Sequence, residues 1–116
     1  MVKKEVRDAI IKTGKEKYKG ELFLAEYTII DRDGRPMELL FTYREPTGAE
    51  MVVYQNMAAR DAMGANRWMM GEVIVSSEED VMERIGNHHT AVLTFITDYF
   101  NPLFGELSEK KPIRRV

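Results

Sequence analysis

The chain has 116 residues, of which 44% are hydrophobic and 31% are charged, and its formal net charge is −2. This size and balance are typical of one globular domain with a single core. Because the chain contains no cysteine, disulfide bonds, thiol catalysis and cysteine-ligated metals are excluded, and a reducing compartment such as the cytoplasm is expected. The first residues lack an apolar signal core and no stretch is long enough to span a membrane, so we expect no membrane association.

Charge is distributed unevenly along the chain. Residues 1–19 carry seven basic against three acidic residues, residues 108–116 carry four against one, and residues 20–107 carry six arginines against fifteen acidic residues. The acidic body makes nucleic acid an unlikely partner, while the basic ends leave open a regulatory or nucleic-acid adaptor. We predict a single globular domain over residues 1–107 and a flexible basic C-terminal tail over 108–116.

The N-terminal part predicts a helix and then a strand pair. Lys3–Thr13 forms a helical pattern that Gly14 is placed to end, and a charged connector follows. The apolar residues then alternate at Phe23, Ala25, Tyr27 and Ile29, and again at Met37, Leu39, Phe41 and Tyr43. This period of two is typical of half-buried strands. The other face of the strand pair is mixed and is expected to face solvent or to be partly covered.

The register of this predicted hairpin follows from its two apolar faces. They coincide only if paired positions sum to an even number, because a slip of one residue turns one face to solvent. A two-residue Asp33-Gly34 turn fails this test. A three-residue loop, Arg32-Asp33-Gly34, satisfies it by pairing Asp31 with Arg35, and it places Gly34 where a left-handed residue is needed.

A helix is predicted directly after the hairpin. Thr47 and Glu50 have capping-box spacing and predict a helix from about Gly48 to Met63, which Gly64 breaks before Asn66 caps a second helical stretch. The predicted buried stripe consists of Tyr54, Met57, Ala58 and Ala62.

Two further helices are predicted near the end of the chain. Ser76 or Ser77 is expected to cap a short helix that Gly86 closes. A final helix is expected from His88 or His89 to Asn101, with Asn87 as its cap. Its predicted apolar face consists of Val92, Phe95, Ile96, Tyr99 and Phe100. The sequence therefore predicts an α+β fold, with an antiparallel β-hairpin or small sheet packed against four to five helices.

The chemistry-bearing residues give no catalytic constellation. His88 and His89 diverge on a helix and fit a role in its first turn, although a small-ligand-binding domain or minor enzyme using His88 or His89 with an acid remains an alternative. No cofactor or metal is expected. The alternative to catalysis is a methionine-rich docking surface around Trp68, formed by Met57, Met63, Met69 and Met70, since thioethers adapt to varied partner shapes. Core filling is the competing interpretation of these residues.

The order of elements adds a resemblance. The strand ending in Glu38–Thr47, the helix over Glu50–Met57, and Val75–Asp80 before a terminal apolar helix and Phe104-Gly105 resemble the tail assembly chaperones of long-tailed bacteriophages and prophages, over residues 21–105. The resemblance implies a non-enzymatic cytoplasmic chaperone that coats a helical tape-measure protein and keeps it soluble until tail-tube subunits assemble. A protein partner and a possible homo-oligomer follow from it.

Overall fold

A computed structural model of the chain describes residues 3–31, 33–104 and 115–116. Within them, a three-stranded antiparallel sheet in the order β1-β2-β3 carries helices, which confirms the predicted α+β class. In chain order the elements are α1 (Lys4–Lys17), β1 (Leu22–Ile30), β2 (Pro36–Arg44), α2 (Gly48–Ala58), α3 (Ala62–Val73), β3 (Ile74–Ser77), α4 (Val81–Ile85), α5 (His89–Phe95), a π-helical segment (Ile96–Phe100) and a 3-10 turn (Asn101–Phe104).

The predicted hairpin register is confirmed. The observed partners include Phe23 with Tyr43, Ala25 with Phe41, Tyr27 with Leu39, and Ile29 with Met37. Beyond them, the Asp31 N–H donates to the Arg35 carbonyl at 2.8 Å. The Asp31 carboxylate accepts hydrogen bonds from the Asp33 and Arg35 N–H groups at 2.9 Å each. Gly34 has a φ of 78°, the left-handed conformation that the three-residue loop needs. Residue 32 lies outside the described residues.

The main core lies on the sheet face that carries the odd-numbered strand residues. The predicted apolar face of the last helix packs there, and the Phe95 ring lies 5.1 Å from the Tyr43 ring and 5.3 Å from the Phe41 ring, measured between centroids. These tilted and edge-on contacts are favourable arrangements for aromatic rings. The α5 helix and its π-helical continuation are thereby fixed to the centre of the sheet.

Helix α1 covers the opposite face of the sheet, where Ile10 packs with Leu24 and Leu40. The predicted end of this helix at Gly14 is wrong, because the helix continues to Lys17 and Gly14 is buried within it. A Cβ atom at Gly14 would lie 2.6 Å from the Thr42 hydroxyl oxygen and 2.8 Å from that of Ser76. Gly14 therefore permits close helix–sheet approach instead of ending the helix, and part of the predicted connector is helical.

The boundary between α2 and α3 also differs from the prediction. Helix α2 ends at Ala58, and Asp61 caps α3 by accepting a hydrogen bond from the Gly64 N–H at 2.9 Å. Gly64 lies in the first turn of α3, where its N–H has no helical acceptor, so it is part of the cap and not a break. Asn66 does not cap a helix; its side-chain oxygen accepts a hydrogen bond from the Tyr54 hydroxyl at 2.7 Å.

The prediction that Ser76 or Ser77 caps α4 is also wrong. Ser76 and Ser77 lie in β3, paired with Thr42 and Phe41 of β2. The Asp80 carboxylate caps α4 instead, since it accepts from two N–H groups of the first turn. An ionised carboxylate is a strong acceptor at the positive end of a helix, which explains why the aspartate displaces the serines in this role. Gly86 follows α4 as predicted.

The last helix begins as predicted but is capped differently. The His88 imidazole Nδ1 accepts a hydrogen bond from the Ala91 N–H at 3.2 Å, so His88 takes the role expected of Asn87. After Phe95 the helix widens into the π-helical segment, and Pro102 lies in a 3-10 turn that extends past the predicted end at Asn101. Because proline lacks an N–H donor, it fits the start of such a turn without losing a hydrogen bond.

Candidate partner-binding surface

The five predicted docking residues separate into two groups. Met69 and Met70 are fully buried in the main core at 0% exposure. These two residues follow the core-filling interpretation and cannot contact a partner in this fold. Met57, Met63 and Trp68 are half-buried, so each keeps part of its surface available on the α2–α3 helix pair.

A more exposed apolar surface lies on α2. Val52 is 57% exposed and Val53 is 42% exposed. Helical spacing places them with the exposed residues Ala49 and Asn56 on one face, opposite the half-buried Tyr54. We call this the α2 outer face (Ala49, Val52, Val53 and Asn56). The sequence analysis left Val52 and Val53 outside the predicted buried stripe but did not identify a surface around them.

The α2 outer face carries no charge, and the one charged residue of α2 points elsewhere. Both carboxylate oxygens of Glu50 lie 2.8 Å from the Arg44 guanidinium. This pairing, together with hydrogen bonds from Thr47, lowers the pKa of Glu50 to about 2. Arg44 also donates to the Glu72 carbonyl at 2.9 Å, which links the start of α2 to the end of α3.

The predicted capping box fixes the start of α2. The Thr47 hydroxyl accepts from the Glu50 N–H at 3.1 Å, and the Glu50 carboxylate accepts from the Thr47 N–H at 2.8 Å. On the inner side, the Tyr54 ring lies 5.9 Å from the Phe100 ring, centroid to centroid. Helix α2 is therefore held along one side by specific contacts and exposes an uncharged apolar stripe on the other.

The histidines belong to a different region. His88 lines an open groove of about 290 Å³ together with acidic side chains of the hairpin turn and α4, namely Asp31, Asp33 and Glu83. His89 is exposed and starts α5. Among the described residues, no group of three histidine, aspartate or glutamate side chains could hold a metal ion. The groove therefore offers charge and an imidazole edge but no metal-binding set.

No helix within residues 3–31 and 33–104 is long and apolar enough to cross a membrane. Comparisons with protein-family models, characterised proteins and solved structures find no match to this chain.

Proposed function

We propose that this protein is a non-enzymatic chaperone of the bacteriophage tail-assembly type, which binds a helical tape-measure protein through the α2 outer face. The observation that carries this proposal is an uncharged apolar stripe on a helix that has no fully buried residue. Exposed valines on a firmly anchored helix cost solubility, and contact with a partner offsets that cost. In this role the protein acts in the cytoplasm of the host cell.

The shape of the stripe favours a helical partner. Val52 and Val53 supply aliphatic surface, and the short side chains of Ala49 and Asn56 lie one turn away on either side. Short residues beside larger ones allow two helices to approach closely, with ridges of one fitting grooves of the other. An amphipathic helix that lays its apolar side on such a face is a recurrent mode of recognition.

The charge of the body supports the same role. Residues 20–107 have a clear excess of acidic side chains, and none of these lies on the α2 outer face. Net charge of one sign keeps a complex soluble and discourages association at other surfaces. Partner binding is thereby directed to the uncharged stripe.

The test is co-expression with the tape-measure protein encoded in the same genome. The double variant Val52→Glu/Val53→Glu is expected to lower the amount of soluble, co-purified partner by at least about tenfold, because it buries two charges in the contact. Leu93→Glu is the matched control, since Leu93 is also an exposed aliphatic residue on a helix. Equal co-purification by all three proteins would contradict the proposal.

Gene context provides an independent test. A neighbouring tape-measure gene, with an overlapping reading frame near the codons of Glu109 to Lys111, supports the chaperone role. A neighbourhood of metabolic genes without a long helical coding sequence counts against it.

A second candidate is binding of a small ligand in the His88 groove. The observation that favours it is that His88 lies beside acids of the hairpin turn. His88→Asn separates the two roles of this residue, because asparagine is a good helix cap but has no imidazole. If a thermal-shift screen finds a ligand, loss of its response in His88→Asn with unchanged unfolding of the free protein supports the groove. An unchanged response removes His88 from the proposed site.

A further inference from the structure

The last two residues of the chain lie against the outer edge of β1. The Val116 N–H donates to the Leu22 carbonyl at 3.1 Å, and Arg115 forms an antiparallel bridge with Phe23. Residues 105–114 lie outside the described residues, so the predicted tail over 108–116 is described only at these two positions. An extended segment that pairs with a sheet edge is a known mode of peptide recognition.

The side chains of Arg115 and Val116 lie in different surroundings. Val116 packs against the apolar cluster of Ile10, Leu24 and Leu40 between the sheet and α1. The Arg115 guanidinium lies 3.0 Å from the Glu21 carboxylate. Alternate residues of an extended segment point to opposite faces. The site therefore fits a basic residue, whose side chain pairs with Glu21, followed by an aliphatic residue, whose side chain packs against the apolar cluster.

The available edge is short. The Glu26 carbonyl, further along β1, accepts a hydrogen bond from the Tyr99 hydroxyl at 2.7 Å. Tyr99 therefore occupies the next outward-facing position beyond Leu24. We define the β1 edge site as the outer backbone edge from Leu22 to Leu24, with Glu21 and the apolar cluster beside α1.

The ion pair in the β1 edge site is exposed to solvent. Arg115 is 72% exposed, and exposed ion pairs contribute little to stability. Ordering each residue of the segment also costs conformational entropy. A second segment with the same basic–aliphatic chemistry can therefore compete for the edge.

We propose that the β1 edge site is a docking site for an extended partner peptide that carries a basic residue followed by an aliphatic residue. Arg115 and Val116 occupy the site as an internal competitor. Charge complementarity to Glu21 and packing against the apolar cluster beside α1 define the partner chemistry. The site uses no residue of the α2 outer face, so it stands or falls independently of the chaperone role.

The test uses the 116-residue chain labelled with ¹⁵N and a synthetic peptide with the sequence of residues 111–116. Val116→Asp removes the internal competitor and is expected to raise peptide affinity at least about tenfold, with amide shifts centred on Leu22 to Leu24. Arg115→Glu, at an exposed side chain, is a second variant expected to act in the same direction. Equal affinity of wild type and both variants, or shifts centred elsewhere, would overturn the proposal.

A charge exchange tests the chemistry of recognition. Glu21→Lys in the Val116→Asp chain is expected to weaken binding of the peptide about fivefold or more, since it replaces attraction by repulsion. A peptide with glutamate in place of the arginine next to its terminal valine is expected to recover that loss. Binding that ignores both changes would overturn the assignment of Glu21 and the basic–aliphatic specificity.

Discussion

The hydroxyl oxygens of Thr42 and Ser76 lie 2.6 Å apart in the interior of the protein. The Ser76 hydroxyl also donates to the Ile10 carbonyl at 2.7 Å. Because a hydroxyl has one proton, the Thr42 hydroxyl is the donor to Ser76 in this arrangement. The chain of hydrogen bonds joins β2 and β3 to α1 and satisfies both buried polar groups, and Gly14 lies against it.

Gly14→Ala is expected to lower the free energy of unfolding by about 1–3 kcal/mol, because the added methyl group collides with these two hydroxyls. Urea unfolding followed by circular dichroism measures the change. Gly48→Ala is the matched control, since nothing lies within 4 Å of a Cβ atom there. If both substitutions have the same effect, close approach at Gly14 is not what requires a glycine.

Glu50→Gln is expected to lower the free energy of unfolding by about 2 kcal/mol at neutral pH, because it removes a charged partner from Arg44. The folded-state pKa of Glu50 is about 2, below its ordinary value of 4.5. Its contribution is therefore complete above about pH 4.5 and is lost as the pH falls towards 2.

The difference in unfolding free energy between wild type and Glu50→Gln should accordingly shrink over this acidic range. Glu45→Gln, at an exposed neighbouring carboxylate, is the control for the loss of one charge. A difference that stays constant down to about pH 2 would show that ionisation of Glu50 is not coupled to folding.

Tyr43→Phe is expected to cost about 1 kcal/mol, because the buried Tyr43 hydroxyl donates to the Tyr99 carbonyl at 2.9 Å. Burial raises the pKa of Tyr43 above its ordinary value of 10.0. The unfolded chain therefore loses this proton first, and stability falls as the pH rises above about 10.

The alkaline loss of stability should be smaller in Tyr43→Phe, as measured by urea unfolding across this range. Burial raises the pKa of Tyr27 as well, so part of the loss should remain. Tyr18→Phe, at the half-buried tyrosine after α1, is the control. An identical alkaline profile for wild type and Tyr43→Phe would contradict the assignment.

Trp68→Ala and Met69→Ala should separate binding from folding. Met69 is fully buried, so its truncation is expected to cost about 2–5 kcal/mol of stability while leaving partner binding per folded molecule unchanged. Trp68 is half-buried on α3, and the methionine-rich docking surface predicted around it requires that its truncation also weaken binding per folded molecule. A strong shift in thermal unfolding of Trp68→Ala with unchanged binding would remove Trp68 from that predicted surface and leave the α2 outer face as the binding surface.

The hairpin and the α2 capping box could be predicted because their signals are local. Alternation of apolar residues fixes the paired faces, and Gly34 then selects the loop that brings the faces together. The Thr47–Glu50 spacing likewise satisfies its own hydrogen bonds within one helical turn. These elements depend little on distant parts of the chain.

Gly14 and Ser76 could not be predicted in this way, because their roles depend on residues far along the chain. From local sequence, Gly14 resembles a helix end, but its role is set by its close approach to the hydroxyls of Thr42 and Ser76. Ser76 likewise resembles a helix cap, but its hydroxyl donates to the Ile10 carbonyl. The sequence analysis left Val52 and Val53 outside the predicted buried stripe, but how far each is exposed depends on the position of α2 relative to the core.

Helix α3 ends at Val73 and strand β3 begins at Ile74, with no loop residue between them. The orientation of α3 is therefore tied directly to the backbone of β3. Two positions further along that strand, Ser76 holds α1 to the sheet. A continuous backbone and one buried hydrogen bond thus connect the α2–α3 pair on one face of the sheet to α1 on the other.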